Sequence, residues 1–170
     1  MYRTIREVKH ILDKHKIKFW PDCGTLLFMY RDSKLDPSDV DLSIMFEDKD
    51  KLMGAIEEFV IKGFGIQQIY AHKDRITEVS FRKNGLAVDI FLRQKKGNYL
   101  VGYSNYGHTI SWGQPIHYFQ FKKFEFDGIK YNIPKDTEGY LKYYFGLDWK
   151  TPRQNWDSSK DAPCINRRWL

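Results

Sequence analysis

Asp39 and Asp41 stand at alternate positions in a run where Val40, Leu42, Ile44 and Phe46 supply an apolar set of the opposite phase, the pattern of a strand with one buried face. Both carboxylates therefore project from the same side. Asp89 sits in a second run of this kind, with Val88, Ile90 and Leu92 facing away from it, so it is the candidate third carboxylate, from a neighbouring strand. Carboxylates clustered in this way hold two divalent cations about 3.5–4 Å apart and stabilise the attacking and leaving oxygens of a phosphoryl transfer. The third carboxylate can bridge a cation or accept the proton of the attacking hydroxyl. Mg²⁺ is the expected ion, with Mn²⁺ as the alternative, because hard oxygen ligands suit it and it needs no all-protein cage.

Upstream, Gly24-Thr25 reads as a tight turn between a short strand, Phe19 to Cys23, and a helix that starts at Leu26. Glycine permits close backbone approach and helix N-terminal amides favour phosphate, which makes Gly24 and Thr25 candidate donor-binding residues. Arg31, about two turns further on, is spaced to clamp a phosphate, and its competing reading is a surface helix arginine. Asp48-Lys49-Asp50 repeats the Asp-x-Asp spacing but lies at an expected helix start, where the helix dipole favours acidic residues, and it lacks alternating apolar partners. His72, His108 and His117 show no metal-ligand spacing and read as structural or surface residues. Trp112, in Ser111-Trp112-Gly113-Gln114, can stack on a nucleobase or anchor core or loop.

The elements that must position these residues follow from periodicity. Thr4 to Lys16 and Asp50 to Lys62 read as amphipathic helices, the second closed by Gly63 and Gly65. Ile66 to Ala71, Thr77 to Arg82 and Leu86 to Leu92 read as strands, the last two joined at Asn84-Gly85. Tyr99 to Tyr106 and His117 to Ile133 read as extended, with turns at Gly97-Asn98 and Asp127-Gly128. Asp136 to Phe145 reads as a short capped helix ended by Gly146.

With 170 residues, 42% hydrophobic and 16% aromatic, the chain can bury one sizeable core, and no Pro/Gly/Ser-rich stretch divides it. A single domain over residues 1–170 is expected, with 147–170 as a wrapping tail carrying Trp149, Trp156 and Trp169. Two cysteines, Cys23 and Cys164, exclude a disulfide framework and a zinc site. Residues 1–18 alternate charged and apolar positions, so neither an export signal nor a membrane span is expected, and the setting reads as cytoplasmic. The net charge of +6 suits a phosphorylated partner or an ordinary solubilising surface.

Three ordered motifs carry a resemblance. Gly24-Thr25-Leu26-Leu27-Phe28-Met29-Tyr30-Arg31, Asp39-Val40-Asp41-Leu42 and Val88-Asp89-Ile90-Phe91 resemble the GTLL-x-x-x-R, D-V-D-L and third-aspartate segments of the LicD/fukutin phosphotransferase family. Tyr144 to Pro152, followed by Trp156, is similar to a mainly structural C-terminal segment, so the likeness runs from about Phe19 to Trp156. Where members commonly have a further aspartate and a glycine, this chain has Pro37, beside Asp36, and Ser43. The resemblance implies an α+β, nucleotidyltransferase-type mixed sheet flanked by helices. It also implies transfer of a substituted phosphate, phosphocholine or ribitol phosphate, from a CDP-linked donor to a sugar hydroxyl of a glycan or polysaccharide acceptor, with CMP released. On that pattern Asp39, Asp41 and Asp89 bind metal and catalyse, while Gly24, Thr25 and Arg31 hold the donor.

Two other functions fit the same residues. A compact nucleotidyltransferase moves a nucleoside monophosphate onto a protein, an RNA or a small molecule. A degenerate domain binds anions through basic, aromatic segments such as Phe119-Gln120-Phe121-Lys122-Lys123-Phe124, although that run also fits a half-buried strand, and a nucleic-acid partner is not expected.

Overall fold

The computed structural model describes residues 2–35, 38–105 and 109–165; Asp36, Pro37, Tyr106, His108 and Trp169 lie outside them. The first helix, α1 (Tyr2–Lys14), buries Ile5, Val8, Ile11 and Leu12, one stripe at helical spacing. Strand β1 (Phe19–Pro21) leads into a short helix, α2 (Cys23–Leu27), which widens into a π turn over Phe28–Asp32. Strand β2 (Asp39–Met45) is followed by α3 (Lys49–Ile61). A continuous antiparallel run then gives β3 (Gly65–His72), β4 (Arg75–Lys83), β5 (Leu86–Lys96), β6 (Tyr99–Asn105) and β7 (Thr109–Pro115). The hairpin β8 (Phe121–Phe126) and β9 (Ile129–Pro134), then α4 (Thr137–Phe145) and α5 (Ser158–Asp161), complete the described chain.

The main sheet is ordered β1-β2-β5-β4-β3, with β6 and β7 continuing from the far end of β5. It is mixed: β2 and β5 are parallel, with Asp41 opposite Asp89, and the other pairs are antiparallel. Alternation sends Val88, Ile90 and Leu92 into a core with α1 and α3, whereas Phe91 joins Leu26, Tyr140 and Trp149 on the opposite face. Each such fully buried aliphatic side chain contributes about 1.5–3 kcal/mol. The three aspartates share the Phe91 face, so the core clamps the strands from behind and leaves the carboxylates toward α2.

The turn chemistry explains the hairpins. Asn84 and Gly85 both hold positive φ, 51° and 82°, as a two-residue turn between right-twisted strands requires. Asp127 and Gly128 repeat it at 51° and 71°. The segment around Trp112 forms β7, and Trp112 is buried against Phe91 in an edge-to-face contact. Within the segment read as extended from His117, residues Ile116–Phe119 form a 3₁₀ turn instead. Phe119 and Phe121 pack on Trp20 while Lys122 and Lys123 face solvent, the half-buried arrangement. Beyond α4, the indole of Trp149 and the side chains of Ala162 and Cys164 are buried against the body. No helix among the described residues is long and apolar enough to cross a membrane.

Candidate active site

Asp22 is where strand becomes helix. Its carboxylate accepts from Cys23 N–H at 2.8 Å and caps α2, and Cys23 takes a φ of +44°. A left-handed φ is unfavourable for a side chain with a Cβ, and such positions gather where a site fixes the backbone. Gly24 and Thr25, read as the turn, therefore lie one step later, inside the helix. The displacement determines their contacts. Gly24 N–H donates to Asp41 Oδ2 at 3.2 Å, Asp41 N–H donates to the Thr25 hydroxyl at 2.7 Å, and Asp22 N–H donates to the Asp41 carbonyl at 3.0 Å. Gly24 lines the cavity, whereas Thr25 is fully buried and holds β2 in place.

Asp39, Asp41 and Asp89 each bring a carboxylate oxygen to within 4.8 Å of the others. Burial raises the Asp41 pKa well above the usual carboxylate range, the like charges of Asp39 and Asp89 add to it, and the Gly24 amide only partly offsets them. Burial also raises Asp89, against the opposing pull of the Ser80 hydroxyl, which donates to its Oδ1, and of Arg82. Like charges this close are stable together only when a proton or a cation intervenes. The all-oxygen donor set, half-buried and open to the cavity, fits a hard divalent cation.

The triad sits in a cavity of about 840 Å³. Arg31 lines it, but its guanidinium is also engaged by Asp32, at 2.7 and 2.9 Å, and by the Trp149 carbonyl at 3.1 Å. It thus joins the π turn to the C-terminal segment as well as facing the cavity. Glu78, not singled out in the sequence, also lines the cavity; burial pushes its pKa up to about 7 despite the hydrogen bond from Ser104 at 2.7 Å. Its signal was available, since Glu78 and Ser80 share the phase of Asp89 on the next strand, but a lone glutamate in a strand carries little weight.

A second set, also absent from the sequence reading, supports the triad from below. Asp22 and Arg93 form an ion pair with no solvent exposure, joined by the Ser43 hydroxyl, at 2.5 Å from Asp22 and 3.1 Å from Arg93 Nε, and by the Tyr140 hydroxyl, which donates to Asp22. Burial pushes the Asp22 pKa upward, yet Arg93 and the two hydroxyls outweigh it and hold the carboxyl below its usual value. Gly102 makes room for the pair: a Cβ there would lie 1.9 Å from Arg93 Nη1.

The mixed sheet with its carboxylates on adjacent parallel strands is the fold of nucleotidyltransferases. The lincosamide antibiotic adenylyltransferase LnuA, solved with lincomycin, matches with a TM-score of 0.57 over 87% of this chain and 88% of that one, at 13% identity. ANT(2")-Ia in complex with adenylyl-2"-tobramycin matches at 0.52 over 92% and 80%, at 12% identity. At those identities the likeness is one of fold.

Sequence narrows it further. The family model described as LicD/FKTN/FKRP, nucleotidyltransferase domain, matches residues 16–136, and the chain belongs to that family. It is 31% identical over 158 residues to the mouse (Mus musculus) ribitol-5-phosphate transferase FKTN, covering 88% of this chain and 33% of that protein. To the human (Homo sapiens) ribitol-5-phosphate transferase FKTN it is 28% identical over 163 residues, 91% of this chain and 34% of that one. A protein from Rickettsia prowazekii, RP689, is 28% identical over 149 residues, covering 83% of this chain and 52% of its own. The chain therefore spans about a third of the length of the FKTN relatives.

Proposed function

We propose that this domain catalyses Mg²⁺-dependent transfer of a substituted phosphate, such as ribitol phosphate or phosphocholine, from a CDP-linked donor to a glycan hydroxyl, releasing CMP. The observation that carries the reading is the convergence of Asp39, Asp41 and Asp89 on one cavity, with Asp41 pushed toward protonation by burial and by its like-charged neighbours. Similarity to proteins named as ribitol-5-phosphate transferases supports a phosphate-bearing donor.

Asp39, Asp41 and Asp89 would hold the divalent cation, which when bound supplies charge neutralisation for the pyrophosphate and for the oxygen that leaves. Arg31 and Gly24 line the cavity beside them, where Arg31 would orient the phosphates and the glycine, without a side chain, would let them approach. Thr25 acts indirectly, by fixing the backbone of Asp41. As the acceptor oxygen forms its bond to the donor's distal phosphorus, the bond from that phosphorus to the bridging oxygen breaks and CMP departs. The acceptor proton would pass to Asp89, whose carboxylate faces the cavity beside the other two. Positioning and charge stabilisation supply most of the rate.

Incubation with Mg²⁺, a sugar acceptor and labelled CDP-ribitol, CDP-choline or ATP tests this. CMP release coupled to acceptor labelling supports the reading. A nucleotide-labelled acceptor means that the domain moves the nucleoside monophosphate instead. Absence of any turnover together with absence of divalent-cation binding identifies a degenerate anion-binding domain.

A further inference from the structure

The cavity extends to both sides of the triad, and its two walls differ chemically. Toward α2 and the C-terminal segment it is lined by Phe28, Trp149 and Trp156 together with Arg31 and Arg153, groups suited to a base and its phosphates. Toward the free edge of the sheet it is lined by Gln67, Gln68, Tyr70, Glu78, Ser80 and Arg82. That second wall sets a buried carboxyl beside amides, a phenol and the Arg82 guanidinium, a mixed set of donors and acceptors. A neutral molecule rich in hydroxyls would find donors and acceptors side by side there.

The backbone is modified to make this wall. Along a regular strand Gln67 and Gln68 would point to opposite faces. An irregularity in the β3–β4 register between Ile66 and Gln68 breaks the alternation, and both glutamines line the cavity. Bulges at sheet edges re-aim side chains in this way, often beside active sites. Arg82 Nε donates to Gln67 Oε1 at 2.9 Å, which fixes the amide with its nitrogen as the free-facing end. Glu78 is held at Oε2 by the Ser104 hydroxyl, and since a carboxylate accepts about four hydrogen bonds, capacity remains for a ligand.

Register connects the wall to the chemistry. Ser80 lies opposite Asp89 and donates to it, and Glu78 is two residues further along β4, about 7 Å at strand spacing, or roughly the width of one sugar ring. We infer that the β3–β4 wall is the acceptor subsite, and that Gln67, Gln68, Tyr70 and Glu78 bind hydroxyls of a neutral sugar or polyol so that another of its hydroxyls reaches Asp89. This rests on the reading of the triad as a group-transfer centre. Glu78 is then a substrate-binding residue that sets acceptor specificity.

The test is an amide-resolved NMR titration of the whole chain with Mg²⁺ and CMP present, adding methyl β-glucoside, methyl β-galactoside or ribitol at millimolar concentration. At least one probe should shift the amides of Gln67, Gln68 and Tyr70. Gln67→Ala, on an exposed edge strand, and Glu78→Gln should each weaken that probe about tenfold, the loss of one or two hydrogen bonds, with CMP affinity unchanged. Shifts confined to the Trp149 and Trp156 side, no shift with any probe, or unaltered affinity in both variants would overturn the assignment. Failure of CMP to bind the parent protein speaks against the cytidine donor instead, and sugar-induced shifts on β3–β4 would stand without it.

Discussion

Asp22 and Asp41 are adjacent, the amide of one donating to the carbonyl of the other, yet their carboxyls are perturbed in opposite directions. Asp22 has Arg93, Ser43 and Tyr140 around it and is held ionised in the interior. Asp41 is buried with Asp39 and Asp89 around it and is driven toward its protonated form, first by burial and then by their like charge. A carboxylate neutralised from within the protein is structural and complete, whereas one surrounded by its own charge is completed only by something that arrives. The paired site makes the frame rigid, and the strained site uses that rigidity to keep three like charges together.

The largest effect that separates the two sites is on catalysis. Asp41→Asn is expected to lower kcat on the order of 10³-fold or more, because it removes a ligand of the proposed cation, while the metal-free protein gains about 1 kcal/mol from relieved repulsion. Steady-state turnover and urea unfolding in chelator measure the two; a variant that loses stability and keeps activity would reverse the assignment of roles. Asp22→Ala should instead cost about 3–5 kcal/mol of stability by leaving the Arg93 charge buried without its partner. Adding Arg93→Met to it should restore part of that loss, a non-additivity that urea unfolding of the three variants would show.

A smaller effect is expected from Gly102→Ala, whose methyl collides with the Arg93 guanidinium, pinned by Asp22, and should cost about 2 kcal/mol. The smallest is pH-dependent and concerns Glu78. Its folded pKa, about 7 against an ordinary 4.5, is raised, so its contribution to stability is fully present below the ordinary value and is lost as pH rises through 7. Glu78→Gln should therefore raise stability by about 1–2 kcal/mol at pH 8 in chelator and leave it nearly unchanged at pH 4. Asp22, with a depressed pKa, has the opposite sign: its stabilisation is present at neutral pH and is lost as pH falls through and below the usual aspartate range.

The two sites also differ in how far the sequence discloses them. Asp39, Asp41 and Asp89 are legible because alternation in β2 and β5 fixes their faces, and parallel pairing of the two strands then aligns Asp41 with Asp89. The helices α1, α3 and α4 and the Asn84-Gly85 turn are legible for the same reason, each following from local spacing or local φ. The Asp22–Arg93 pair is not, since 71 residues separate its members and nothing local marks either as buried. The Asp22 cap shifted the strand-to-helix junction by two residues relative to the glycine signal, and so moved Thr25 from the expected phosphate contact to a backbone one. Strand β7 was missed because its Trp-Gly-Gln-Pro stretch is punctuated like a loop, and its pairing depends on β6. The wall of Gln67 and Gln68 depends on a register irregularity that periodicity cannot express.

The most direct test is a calorimetric titration of the chelator-treated protein with Mn²⁺, in place of the weaker Mg²⁺, near pH 6, repeated with Asp41→Asn. Saturable binding in the parent that disappears in the variant is the predicted result, because Asp41 supplies one of the three clustered carboxylate oxygens. A parent protein that takes up no Mn²⁺, or a variant that binds it as tightly as the parent, would contradict a cation site on Asp39, Asp41 and Asp89.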